Sequence, residues 1–68
     1  MARKRVDGQE IARRMVRAGI DQKRMADLAG CSESMMSYIV RGMREPSVSM
    51  LALIADTLGC KVDDLLTE

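Results

Sequence analysis

The stretch from Asp21 to Gly42, DQKRMADLAGCSESMMSYIVRG, constrains the fold more than any other part of the chain. Apolar residues recur at helical spacing on both sides of Gly30, which predicts two short helices joined by a tight turn. Asp21 is placed to cap the first helix, with Ile20 just outside it and Met25 at the fourth position, as in a hydrophobic staple. Met25, Ala26 and Ala29 share one face. Gly30 follows where a helix end commonly needs a left-handed residue. Ser32 restarts the chain as an N-cap, and Cys31 and Met36 repeat the staple. Met36, Ile39 and Val40 form the inward stripe of the second helix, and Gly42 closes it. Its other face carries Glu33, Ser34, Ser37, Tyr38 and Arg41, short or polar groups open to a partner. Helices this short are not stable alone, so the remaining segments must cover their apolar faces.

Those segments are few. At 68 residues the chain is one domain, near the lower size at which a single core suffices. With 47% hydrophobic and 31% charged residues it reads as globular. Eleven basic residues nearly balance ten acidic ones, but the charges are segregated. Residues 1–24 hold eight basic and three acidic side chains, and residues 25–68 hold three basic and seven acidic. That asymmetry predicts one polyanion-facing end and an acidic far side. The chain has no His, and Cys31 and Cys60 lack metal-ligand spacing, so no metal site is expected and both cysteines read as free thiols at apolar positions in a reducing cytosol. Arg3-Lys4-Arg5 is followed by no apolar stretch, so no secretory signal is expected, and the apolar run Met50 to Ala55 is too short to span a bilayer.

Met1 to Val6 reads as a flexible basic arm and residues 7–68 as the folded domain. Helix one is expected to start at Asp7, with Glu10 completing a capping-box-like pair and Val6 stapled to Ile11. Ile11, Met15 and Ala18 face inward, Arg13, Arg14 and Arg17 outward, and Gly19 ends the helix. After the polar loop Met43 to Pro46, Ser47 caps a fourth helix whose core stripe is Leu51, Ile54, Ala55 and Leu58. Met50 and Leu53 widen that stripe, which suits a central helix or half of an interface. Val62, Leu65 and Leu66 are expected on a last short helix, poorly capped by Lys61, that lids the core. Seven Met, one Tyr, and no Phe or Trp predict an adaptable core of modest stability.

The residues Gly19-Ile20-Asp21-Gln22, Met25-Ala26, Gly30-Cys31-Ser32, Met36-Ser37, Ile39, Arg41-Gly42, Pro46-Ser47, Ile54-Ala55, Leu58-Gly59 and Asp64-Leu65 carry a resemblance. Over roughly residues 8 to 66 the chain resembles the Cro-like, phage-repressor-type helix-turn-helix family, the XRE class. The resemblance implies an all-α, compact five-helix lambda-repressor-like domain that binds double-stranded operator DNA as a transcriptional regulator, and in particular as a repressor. It also implies a homodimer acting in the cytoplasm, at the nucleoid of a bacterium or on behalf of a phage. No cofactor or small-molecule ligand is expected. Many relatives pair an Arg at the position of Met15 with a Glu at that of Val40; this chain departs at both together. Removing both partners of such a pair is often neutral, whereas removing one strands a charge, so a Met15–Val40 contact is predicted.

On this resemblance the helix at about residues 32–41 enters the major groove. Glu33 can accept from a cytosine amine, Ser34 and Ser37 can bond several bases, and Met35 and Tyr38 can pack on a thymine methyl or a sugar edge. Gln22, Lys23, Arg41, Arg44 and Ser47 fall at phosphate-contacting positions, with Arg3, Lys4 and Arg5 as possible arm contacts. Relatives dimerise through the end of helix four, the loop after it and helix five, here Cys60, Lys61, Val62 and Leu66, with Met50 and Leu53 as an added patch. The alternative is a protein-interaction module of the same fold without specific DNA binding, suggested by the near-neutral charge, the acidic Glu33 and the Met50/Leu53 face. An enzyme is not expected: there is no His, no paired acid in a cleft and no phosphate loop.

Overall fold

Four capping side chains set the helix starts. In the computed structural model, which describes residues 4–67, Asp7, Asp21, Ser32 and Ser47 each accept from the backbone N–H three residues on, at 2.8–3.2 Å. The elements are β1 (Arg5–Val6), α1 (Gly8–Ala18), α2 (Gln22–Ala29), α3 (Glu33–Val40), α4 (Val48–Leu58), a single 3-10 turn (Val62–Leu65) and β2 (Leu66–Thr67). Each of the four α-helices starts at the N-cap residue expected from the sequence. Gly30, at φ 75°, turns the chain from α2 into α3 while its N–H returns to the carbonyls of Ala26 and Asp27. A side chain there would be strained whatever room surrounds it.

One apolar cluster joins all the helices. Ile11 and Met15 of α1, Met25 and Ala26 of α2, Met36 and Ile39 of α3, and Leu51 and Ile54 of α4 are buried in it. Val40 is half-buried against the same cluster as Met15, and among the described residues no polar or charged side chain is buried. Met15 and Val40 therefore belong to an all-apolar centre. Cys31 and Cys60, both free and half-buried, pack on its rim, and burial pushes the Cys31 thiol up from its ordinary pKa.

Three expectations are corrected. The fifth helix is one 3-10 turn, so the described residues form four α-helices rather than five. The reason lies just beyond: Leu66 must be extended (φ −107°, ψ 148°) to pair with Val6, so a helical turn cannot propagate through it. Leu65 is the lid, fully buried, while Leu66 belongs to the strand. Asp64 compensates for the weak cap by accepting from the Lys61 backbone N–H at 3.0 Å.

Second, the aperiodic basic segment is shorter than expected at its inner end. Arg5 pairs with Thr67 and Val6 with Leu66 in an antiparallel ladder, and the Asp7 N–H donates to the Leu65 carbonyl at 2.8 Å. A strand of two residues leaves no periodicity to read. Arg3 lies outside the described residues.

Third, Glu10 does not complete a capping box. Its carboxylate accepts from Arg13 at 2.9 and 3.1 Å and from Arg14 at 2.8 Å. Those bonds, the Arg13 one foremost, hold the Glu10 carboxyl below its ordinary value of 4.5. A carboxyl whose pKa is lowered on folding stabilises the fold above its unfolded pKa and ceases to as pH falls through the folded value. Wild-type stability is therefore expected to fall on acidification below about pH 4.5 by more than that of Glu10→Gln. Urea melts of both chains at neutral pH and in acid check this. An equal acid loss in the two would remove Glu10 from the account.

Candidate nucleic-acid interface

With Met36 and Ile39 sunk in the core, the opposite face of α3 is left to solvent. Gln22 from the start of α2 joins Glu33, Ser34, Ser37, Tyr38 and Arg41 around one open groove of about 310 Å³. Ser34 and Glu33 are exposed, Ser37 and Gln22 half-buried, and Tyr38 retains 40% of its surface. The hydroxyls offer donors and acceptors, the Glu33 carboxylate only acceptors, and Arg41 only donors. Charge is thus split along the groove, with the acid in the first turn of α3 and the base at its C-cap. Among the described residues Glu33 makes no ion pair.

Arg41 is held rather than free. Its guanidinium carbon sits 5.2 Å from the centre of the Tyr38 ring, and its Nε donates to the Ser37 carbonyl at 3.3 Å. By sequence, Arg41 falls on the outward face with Glu33, Ser34, Ser37 and Tyr38 and is assigned to phosphate contact. Its spacing from Ser37 and Tyr38, four and three positions on, is the signal that places it on their face. Met35 differs in the other direction: it is half-buried against the core and does not line the groove.

The remaining candidates among the described residues do not line this groove. Lys23 and Arg44 are exposed, and the N–H groups of Met43 and Arg44 both donate to the Tyr38 carbonyl, at 2.9 and 3.3 Å, which folds the Arg44 loop back on the end of α3. Ser47 is exposed, and its hydroxyl caps α4 and meets that of Ser49 at 3.3 Å. Lys4 is exposed, and Arg5 lies 4.0 Å from Glu45 in a loose surface pair worth little. A second groove, bounded by Val6 to Gln9, Val40 to Gly42 and Thr67, meets the first at Arg41.

Away from these grooves, Leu53 keeps 46% of its surface and Val62 36%. Met50, Cys60 and Leu66 are half-buried on their own core, and Lys61 is exposed. Val48, 86% exposed on the first turn of α4, adds to the apolar surface of that helix and lies outside the set expected from the sequence.

Two packed helices around a glycine turn, the second presenting a bare polar face, define a helix-turn-helix domain. A helix-turn-helix family model matches residues 11–65, and the chain belongs to this family, the XRE type. No curated protein matches it. Among solved structures it is similar to the P22 c2 repressor in complex with a synthetic operator, at 28% identity over 85% of this chain and 88% of that one (TM-score 0.81). It is similar too to SinR, the master regulator for biofilm formation, in complex with DNA, at 29% identity over 85% and 94% (TM-score 0.77). The fold alone is shared with hydroxypropylphosphonic acid epoxidase from S. wedmorenis, 21% identical over 88% of this chain and 32% of that one (TM-score 0.78). The family and its regulator neighbours support a DNA-binding transcriptional regulator.

Proposed function

We propose that this protein is a repressor that binds a specific double-stranded operator as a homodimer and catalyses no reaction. The observation that carries the reading is the solvent-facing groove of Gln22, Glu33, Ser34, Ser37, Tyr38 and Arg41, propped from behind by the buried Met36 and Ile39. A convex helix of this width suits the major groove, and its hydroxyls match base edges of either polarity. Ser34, Ser37, Tyr38 and Glu33 are the base readers. Gln22, Lys23, Arg44 and Ser47 grip phosphates on either side, and the helix starts at Gln22 and Ser47 add outward backbone N–H groups.

A single domain covers too few base pairs for useful selectivity, which favours a two-fold dimer on inverted half-sites about one helical turn apart. Leu53, Val62, Lys61 and the exposed edges of Met50, Cys60 and Leu66 form the pairing face. Such a dimer would act in the cytoplasm, on the nucleoid of a bacterium or its phage. No helix among the described residues is long and apolar enough to cross a membrane.

Titration of random duplex at low and high salt tests the reading. Salt-sensitive binding is expected, with about four to six phosphate contacts per subunit setting the slope. No binding at either salt would transfer the groove to a protein partner, the role open to the same fold. Charge reversal of Lys23 and Arg44 together is expected to weaken all duplexes alike and to lower the salt slope by about one for each phosphate left unneutralised. A changed sequence preference instead would move these two residues from phosphates to bases.

A further inference from the structure

We infer that Arg41 reads a guanine edge in each half-site, seated on Tyr38 as a shelf, instead of clamping a phosphate. The inference rests on the DNA-binding reading and specifies what that site selects. Lys23, Arg41 and Arg44 are all exposed, but Lys23 and Arg44 do not line the groove. Arg41 instead lines the reading groove with Ser34 and Ser37, its guanidinium 5.2 Å from the Tyr38 ring centre and its Nε on the Ser37 carbonyl at 3.3 Å. Stacking on an aromatic face and a bond to backbone restrict the side chain before DNA arrives, which lowers the ordering cost of a directed contact.

The bond to Ser37 uses Nε, so it leaves the two terminal nitrogens to serve as a donor pair. Guanine is the base whose major-groove edge offers two acceptors, O6 and N7, to such a pair. The hydroxyls of Ser34 and Ser37 tolerate several bases, so Arg41 is the sharpest discriminator that the groove contains. Glu33 stands at the other end, eight residues earlier. At about 1.5 Å per residue along α3 this is about 12 Å, or three to four base-pair steps. The guanine is therefore expected about that far from the base pair facing Glu33.

The test is selection from a randomised duplex pool with the wild-type chain, Arg41→Lys, Arg41→Ala, Tyr38→Phe and Tyr38→Ala, each checked for unchanged melting. The wild type is expected to enrich guanine at one position of each half-site. Arg41→Lys and Arg41→Ala should lose about 5- to 150-fold of that discrimination, the range expected for one bidentate base contact. Tyr38→Ala, which removes the shelf, should weaken the guanine preference more than Tyr38→Phe, which keeps the ring. Uniform loss of affinity across the pool in both Arg41 variants, with the base preference unchanged, would make Arg41 a phosphate clamp and overturn the inference. A wild-type chain that binds no duplex would instead overturn the DNA-binding reading, and this assignment with it.

Discussion

Met36→Ala is expected to cost about 2–5 kcal/mol, the largest loss foreseen for a single change in this domain. Met36 is fully buried on the inner face of α3, within the cluster that α2 and α4 share. Truncation removes its transfer energy and leaves a cavity that neighbouring side chains fill only in part. A domain of this size has roughly 3–10 kcal/mol in total, and each kcal/mol moves its Tm by about 4–8 °C. The variant therefore stands at the edge of unfolding near room temperature. Met36→Leu conserves volume and is expected to cost less than about 1.5 kcal/mol. Thermal melts of the two variants followed by circular dichroism decide the matter. A Met36→Ala chain that melts with the wild type would mean that the methionine-rich core closes over the gap. Since the reading face of α3 is held out by its buried face, the same variant should lose DNA binding in step with its folded fraction.

Gly8→Ala is expected to destabilise by about 1–3 kcal/mol although Gly8 sits in the first turn of a helix, where alanine is ordinarily preferred. A Cβ at Gly8 would stand 2.5 Å from the carbonyl oxygen of Ile39 and 2.7 Å from that of Val40. A carbon and a carbonyl oxygen normally rest about 3.3–3.6 Å apart, so α1 and α3 would have to separate. The obstructing atoms are backbone and cannot swing away as a side chain would. The propensity gain of about 0.8–1 kcal/mol for replacing glycine with alanine in a helix runs the other way and is the smaller term. Gly30→Ala provides the contrast: it meets no atom within 4 Å, and its cost of about 1–2 kcal/mol comes from the left-handed backbone alone. Urea midpoints of the two variants separate overlap from strain, because enlarging the side chain further, to valine, should worsen the Gly8 variant far more than the Gly30 one. A Gly8→Ala chain as stable as the wild type would show that α1 and α3 slide apart at no cost.

Local chemistry was legible in the sequence wherever it acts within a few residues. The caps at Asp7, Asp21, Ser32 and Ser47, the turn at Gly30, and the inward faces of Met25, Met36 and Ile54 follow from spacing that one helical turn enforces. So does the outward set Glu33, Ser34, Ser37 and Tyr38, since burying one stripe of a short helix leaves the other to solvent. Glu10 shows where local reading stops. The Asp7 N–H that a capping box needs is taken by the Leu65 carbonyl from the other end of the chain, and the Glu10 carboxylate goes to the two arginines within four residues of it.

What only the tertiary structure decided involves residues far apart in the chain. The ladder between Arg5–Val6 and Leu66–Thr67 joins the two ends, and it shortens the last helix to a 3-10 turn because Leu66 must be extended to enter it. The close approach of Gly8 to Ile39 and Val40 depends on how α1 crosses α3, which no local pattern encodes. The seating of Arg41 on Tyr38 depends on the rotamers of both, which spacing alone does not specify. Periodicity and capping report the geometry of one segment against itself; contacts between segments are chosen by packing, where each side chain competes for partners that sequence distance does not order.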